Sequence, residues 1–312
     1  MNLQIALHDA DRIGARKKKP YPNLALLKLS AWHKAHGDAV SWFMPLEQYD
    51  KVYSSKVFLF TPKDPYLPAD AIKGGPGYRN YEALPEDIEH ICPDYSLYGL
   101  NYSMGFTTRG CIRRCPWCIV PLKEGAIRAH ADVTEFVRHK DVVLMDNNAL
   151  AHEHGIAQME KLKNMGVRVD YNQGLDARLI DDAAAHLLAS MHWTKYIRLA
   201  CDSAPMMPII EKAVKRLRNA GYSKEIFCYT LIQDKKESLE RIMFLCSLGI
   251  SPFAQPYRDL GENPKPIEQS LKNLSYWCNN PRIRKTIPFS EYSESVRYQF
   301  KKHKKAVVYA DL

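Results

Sequence analysis

The sequence predicts an α/β protein with two successive parallel-sheet regions, the second of them a partial barrel of six β/α units. Short apolar segments of strand length alternate with longer segments that carry apolar residues at helical spacing. Several of the helical segments end at a glycine, a frequent helix stop. Alternation of this kind produces parallel sheets covered by helices. Six units fall short of the eight in a closed barrel, so the second region would be a partial, TIM-like (β/α)6 barrel.

Residues 1–95 are predicted to form the first, smaller parallel-sheet region. Its strand candidates are LQIAL at 3–7, AVSWFM at 39–44 and KVFLF at 56–60. Segment 23–37 has apolar residues at helical spacing and ends at Gly37. The glycines of GGPGYRN, residues 74–80, predict a tight loop.

Residues 100–260 are predicted to form the partial barrel. Its strand candidates are 102–109, 142–146, 167–172, 196–201, 225–232 and 251–257. Its helix candidates are 154–166, 181–191, 206–221 and 236–249. Residues 261–312 form a basic C-terminal extension, in which 268–280 is predicted to be one amphipathic helix with Trp277 packed on the core.

Composition and charge narrow the classes of partner. The 312 residues have a formal net charge of +9 and a pI near 9.0, which favours anionic partners such as nucleic acid. The basic runs are 16–19, 282–285 and 301–305. No segment approaches the roughly 20 apolar residues of a membrane span, and the N-terminal segment lacks the order of a secretory signal. We therefore expect a cytoplasmic protein without a membrane partner.

Three of the eight cysteines lie close together in TTRGCIRRCPWCIVP, residues 107–121. They are Cys111, Cys115 and Cys118, in the spacing C-x3-C-x2-C. Clustered thiols in a reducing compartment act as metal ligands or catalytic groups. Zinc would need a fourth ligand from His130, His139 or Cys92, and none of these has a zinc-finger spacing. An iron–sulfur cluster is the second interpretation and three unrelated structural cysteines are the third.

This segment resembles the signature loop of the radical S-adenosylmethionine (SAM) superfamily. The cysteine spacing, Trp117 just before the last cysteine, and the position after the first strand of the second region carry the resemblance, which covers about residues 102–260. The surrounding CIVP is similar to the methylthiotransferase and related branches. However, the sequence lacks the three further N-terminal cysteines and the C-terminal RNA-binding barrel of that branch.

The resemblance implies the cofactors and the type of reaction. The three cysteines would bind a [4Fe–4S] cluster whose fourth iron binds the amino and carboxylate groups of SAM. An electron from a flavodoxin- or ferredoxin-type donor would cleave SAM to methionine and a 5′-deoxyadenosyl radical. That radical would take a hydrogen atom from an unidentified substrate, with a nucleic-acid component as one candidate class.

Polar residues that follow the predicted strands are candidates for binding, because barrels of this type place their chemistry at the carboxyl ends of the strands. The candidates for cofactor binding are Trp117, Asp146, Asn147, Asn148, Gln173, Arg198, Gln233 and Gln255. The candidates for substrate binding are Asn172, Asp176, Arg178 and Asp202. Two structural alternatives stay open: an Asx turn at Asp146, and an ion pair of Arg198 with Asp176 or Asp202.

The first region resembles the cobalamin-binding or cobalamin-like Rossmann-like domains that precede many radical SAM barrels. Where the cobalamin motif D-x-H-x-x-G has its histidine, this chain has Asp11, and His8 lies out of register. A degenerate domain shaped for substrate is therefore preferred over cobalamin binding.

The sequence thus favours a radical SAM enzyme. A zinc-binding nucleic-acid module without radical chemistry is the alternative, and a catalytically inactive scaffold of the same fold is a third interpretation.

Overall fold

The computed structural model describes residues 2–12, 21–259, 261 and 265–292 and divides the chain into two compact units. Unit 1 consists of Met1–Gln173 and Ser190–Thr194, and unit 2 consists of Gly174–Ala189 and Lys195–Leu312. The predicted boundaries near residues 95 and 261 stay predictions. Two of the predicted basic runs, 16–19 and 301–305, lie outside the described residues.

Unit 1 contains two parallel sheets, one antiparallel pair and five helices among its described residues. Its strands are β1 (Gln4–Asp9), β2 (Ala39–Trp42), β3 (Lys51–Ser55), β4 (Ile72–Gly74), β5 (Ser103–Gly105), β6 (Thr108–Arg109), β7 (Arg128–Ala129), β8 (Asp141–Leu144), β9 (Arg168–Tyr171) and β10 (His192–Trp193). Its helices are α1 (Leu24–Ala35), α2 (Glu86–Glu89), α3 (Val120–Lys123), α4 (Val133–Phe136) and α5 (Glu153–Asn164).

The first sheet has the order β2-β1-β3-β4 and all its strands are parallel. Helix α1 begins at the N-cap Asn23, whose side chain accepts from Leu26 N, and ends before Gly37, which has a positive φ. Leu26 and Leu29 of this helix pack on Ile5 and Leu7 of β1. The α/β character predicted for this region is confirmed.

The strand predicted at 56–60 is wrong, because β3 ends at Ser55. Val57, Phe58 and Phe60 are exposed in the following loop. The carboxylate of Asp11, after β1, accepts hydrogen bonds from Val57 N (2.6 Å) and Thr61 Oγ1 (2.5 Å). A backbone N–H that donates to a side-chain carboxylate is not available to pair with a neighbouring strand. The apolar run 56–60 therefore forms a loop, although it has the length of a strand.

The second sheet of unit 1 has the order β10-β9-β8-β5 and is parallel throughout. The strand predicted at 102–109 consists of two pieces. β5 joins the sheet, whereas β6 turns away and pairs antiparallel with β7. The segment that contains the three cysteines connects β6 to β7.

The described residues of unit 2 contain one parallel sheet, of order β11-β12-β13, and five helices. Its elements are α6 (Asp182–Ser190), β11 (Ile197–Ala200), α7 (Met207–Asn219), β12 (Ile226–Ile232), α8 (Lys235–Ser247), β13 (Ser251–Pro256), α9 (Gln269–Cys278) and α10 (Pro281–Thr286). Trp277 of α9 is 2% exposed and packs in one cluster with Ile232 and Ala254, as the sequence predicted.

The second sheet of unit 1 and the sheet of unit 2 contain the six strands predicted for the second region, three in each unit. The mixed α/β fold with parallel sheets is therefore observed, and the closure of these strands into a partial barrel stays a prediction. Within the described part of the chain, no helix combines the length and apolar character needed to cross a membrane.

Candidate metal and cofactor site

The cysteine loop is defined here as residues 110–127, between the paired strands β6 and β7. Its two ends are held together because Cys111 N donates to Gly125 O at 3.3 Å. Gly110 has φ +79°, and a Cβ there would lie 2.1 Å from Ala126 O. Only glycine tolerates both the left-handed backbone and this close approach, so Gly110 allows the loop to close.

The thiols of the loop accept hydrogen bonds from N–H groups. Arg113 N donates to Cys111 Sγ at 3.3 Å, and Val120 N donates to Cys118 Sγ at 3.4 Å. The Asn148 amide, from the segment after β8, donates to Cys111 Sγ at 3.5 Å. N–H groups are also directed at the cysteine sulfurs of iron–sulfur clusters, where such hydrogen bonds help to set the cluster potential.

Glu124 connects the start of the cysteine loop to the segment after β8. Its Oε2 accepts from Gly110 N at 2.9 Å and from Asn147 Nδ2 at 2.8 Å. Its side chain is only 4% exposed and lies 3.6 Å from Arg109 Nε and 3.5 Å from Lys123 Nζ. A buried carboxylate with this number of partners ties both ends of the loop to the segment after β8.

Asp146 connects the same segment to the chain that enters the loop. Its Oδ1 accepts from Thr107 N (3.0 Å) and Oγ1 (2.6 Å), and from Thr108 N (2.5 Å) and Oγ1 (2.8 Å). Complete burial raises the pKa of Asp146, and these donors oppose that rise. Two residues donate four hydrogen bonds to this one buried oxygen, so Asp146 positions the strand that leads into the cysteines.

The donor set of the loop fits an iron–sulfur cluster, because it offers three thiols on one segment with N–H groups directed at two of the sulfurs. Cys111 and Cys115 are half-buried and Cys118 is exposed. Among the described residues, no three His, Cys, Asp or Glu side chains are grouped so as to hold a single metal ion. A cluster distributes its ligands over several iron atoms, so its thiolates stand farther apart than those around one ion.

The predicted cofactor residues of unit 1 fall into two groups. Asp146, Asn147 and Asn148 all contact the cysteine loop or the chain entering it. Trp117 is half-buried within the turn that Cys118 N closes onto Cys115 O. Gln173 follows β9, where its amide donates to Asn172 Oδ1, and Asn172 in turn donates to Tyr21 OH.

In unit 2, Asp176 and Arg178 form an ion pair, with Nε and Oδ1 2.6 Å apart. Asp202 follows β11, and its Oδ1 accepts from Leu231 N of β12 at 2.9 Å. Burial raises the pKa of Asp202, and the nearby charge of Arg178 opposes that rise. Gln233 and Gln255 are exposed at the carboxyl ends of β12 and β13.

Arg198 lies in the first half of β11, not at its carboxyl end. Its guanidinium carbon is 4.9 Å from the ring centroid of Tyr196 and 5.3 Å from that of Phe227. Its Nη1 donates to Tyr229 OH at 3.2 Å. The two ring contacts are cation–π interactions, and together with the hydrogen bond they hold the guanidinium beside these three aromatic side chains.

The residues of the first sheet that were candidates for binding cobalamin make contacts within unit 1. Besides the contacts of Asp11 in the 57–61 loop, His8 Nδ1 lies 2.7 Å from Ser54 Oγ and His8 Nε2 lies 3.2 Å from Asp64 Oδ2. Both ring nitrogens of His8 are therefore engaged. A Cβ at Gly77 would lie 2.4 Å from Lys56 Cγ, so this glycine serves close packing. The arrangement does not fit a cobalamin with His8 as its lower ligand.

Sequence reasoning missed Glu124, and it also missed Arg241. The Arg241 side chain is buried in α8, where it donates to Cys201 O at 2.5 Å and to Leu231 O at 2.8 Å, and so joins the ends of β11 and β12. Each residue differs in charge from its neighbours in the sequence. Arg241 is a charged residue within an apolar helical stripe, and Glu124 is the single acidic residue of the basic segment 110–127.

Comparison with known proteins gives no assignment. No protein-family model matches the chain, and no curated protein matches it.

Proposed function

We propose that the protein is a radical SAM enzyme, in which Cys111, Cys115 and Cys118 would hold a [4Fe–4S] cluster. One observation carries the proposal: backbone N–H groups donate hydrogen bonds to Cys111 Sγ and Cys118 Sγ. The loop that contains them is closed by the hydrogen bond from Cys111 N to Gly125 O. When bound, such a cluster supplies the electron that cleaves SAM to methionine and a 5′-deoxyadenosyl radical, which takes hydrogen from the substrate.

The chain's own residues prepare the thiols for this role. Asp146 holds Thr107 and Thr108, Glu124 holds Gly110, and Asn148 donates directly to Cys111. Three segments are thereby held together before any cofactor arrives: the chain that enters the loop, Glu124 after α3, and the segment after β8. Pre-organised ligands bind with a smaller loss of conformational entropy.

The charge of the chain supports a polyanionic substrate. The net charge is +9, and Arg109, Arg113 and Arg114 all lie beside the cysteines in the sequence. Basic side chains near a reactive site attract phosphate-bearing molecules, so we place a nucleic-acid component first among substrate classes.

The experiment is reductive cleavage of SAM. Protein reconstituted anaerobically with iron and sulfide is reduced with dithionite in the presence of SAM, and 5′-deoxyadenosine is measured by liquid chromatography. We expect multiple turnovers for the wild type and none for Cys115→Ala, with Cys246→Ala as a matched control that retains activity. No 5′-deoxyadenosine from a fully loaded wild type would exclude the proposal.

A further inference from the structure

A groove of about 840 Å³ lies in unit 2 between the outer side of α8 and the segment formed by α10 and residues 287–290. It extends to the start of β13, at the edge of the sheet opposite to the carboxyl ends where Gln233 and Gln255 lie. Its volume is in the range of small-molecule sites. The function proposed above does not use it.

The wall of the groove is apolar for a reason that the sequence shows. Leu239, Met243 and Cys246 are spaced i, i+4, i+7 and so share one side of α8, while Arg241, Ile242 and Leu245 point into the core. Leu239 and Cys246 are half-buried at the border of the core cluster that contains Trp277, and Met243 extends this apolar stripe to the surface. Met243 on that stripe is 53% exposed, and exposed apolar surface arranged as a groove marks a binding site.

The opposite side of the groove is held in place by hydrogen bonds. Trp277 Nε1 donates to Ile287 O at 2.8 Å, and Arg284 Nη1 donates to Cys278 O. These bonds attach α10 and the following segment to α9. The groove is consequently formed in the absence of any ligand.

The charge on the lining residues is positive. Arg284 and Lys285, in the last turn of α10, both line the groove. Within the described residues, neither lies within ion-pair distance of a carboxylate. Glu225 accepts a hydrogen bond from the lining residue Ser251, at the start of β13 and not at α10.

We propose that this groove binds an aliphatic carboxylate, whose apolar chain lies along α8 and Trp277 and whose carboxylate lies at Arg284 and Lys285. Burial of methylene groups against the α8 stripe provides affinity, and the two cations of α10 provide the preference for an anion. A cationic or uncharged molecule of the same shape binds more weakly.

The test is fluorescence titration of the full chain with 11-(dansylamino)undecanoic acid and, as the uncharged comparison, its primary amide. We expect saturable binding at one site per chain, at least threefold tighter for the acid. Met243→Glu and Lys285→Glu each weaken binding of the acid at least threefold. Arg282→Glu, an exposed position of α10 outside the groove lining, leaves it unchanged.

Two results would overturn the proposal. One is equal binding of acid and amide, or binding that neither Met243→Glu nor Lys285→Glu alters. The other is binding that occurs only after residues 293–312 are deleted, because the groove would then serve a segment of this chain and not a ligand. Because this titration needs no metal, its outcome is independent of SAM cleavage.

Discussion

The Oδ1 atom of Asp146 accepts hydrogen bonds from both the backbone N (2.5 Å) and the hydroxyl (2.8 Å) of Thr108, across 38 positions of sequence. This relationship connects the end of β8 to the strand that leads into the cysteine loop. Positions of the thiols therefore depend on a carboxylate that is itself outside the loop.

Replacing this carboxylate should loosen the loop. Asp146→Asn places an amide N–H₂ among donors, so we expect a loss of about 2–4 kcal/mol in the free energy of unfolding. The matched control is Asp141→Asn at the start of β8, whose partner Arg168 is exposed, and it should have little effect. Urea denaturation measures both. Equal effects of the two substitutions would contradict the role of Asp146.

Glu124→Gln should open the base of the loop, because the neutral amide weakens the contacts to Gly110 N, Asn147 and Arg109. In metal-free protein, Cys111 should then react with iodoacetamide several-fold faster, as measured by peptide mass spectrometry. The exposed control Glu160→Gln should leave this rate unchanged. An unaltered rate in Glu124→Gln would show that the loop closes without this carboxylate.

Alanine substitutions at the two glycines near the ends of the loop distinguish the cost of a positive φ from the cost of a steric clash. Gly110 and Gly125 both have positive φ, but a Cβ at Gly125 meets nothing within 4 Å whereas one at Gly110 meets Ala126 O. We expect Gly125→Ala to cost only about 1 kcal/mol and to retain iron after reconstitution. Gly110→Ala should lose most of its iron. Similar iron contents in the two variants would disprove the close-approach argument.

His130 should make stability depend on pH. Burial lowers its pKa to about 4, and the charge of Lys28 adds to the shift. The unfolded chain takes up a proton near pH 6.5 and the folded chain does not, so stability is full above pH 6.5 and is lost as pH falls toward 4. At pH 5 the loss is about 1–2 kcal/mol.

The measurement is urea denaturation of wild type and His130→Gln at pH 7 and pH 5. The wild type should lose more stability between these pH values than the variant does. His186→Gln, at an exposed position, serves as the control and should behave as the wild type. A wild type and a His130→Gln variant with the same pH dependence would contradict the assigned cause.

Local patterns predicted most helices and strands of the fold, and they failed where a distant side chain decides the structure. Strand β12 is an almost continuous apolar and aromatic run, IFCYTLI, and that signal is present in the sequence itself. The run 56–60 has a comparable apolar content. It is a loop because Asp11, about 46 positions away, takes its N–H groups, and no local window contains that information.

The candidate site shows the same division. Spacing was sufficient to single out the three cysteines, and position after β8 was sufficient to single out Asp146, Asn147 and Asn148. Glu124 was missed because its partners Gly110 and Asn147 lie 14 and 23 positions away. Such pairings depend on how β6, β7 and β8 assemble.

The most direct test of the central claim is the iron and acid-labile sulfide content of anaerobically purified protein, measured with its electron paramagnetic resonance spectrum after reduction. We predict about four iron and four sulfide per chain, with the signal of a reduced [4Fe–4S] cluster that changes on addition of SAM. Cys115→Ala should lose the cluster and Cys246→Ala should retain it. Colourless protein that contains one zinc per chain, or a Cys115→Ala variant with full iron and sulfide, would contradict the account.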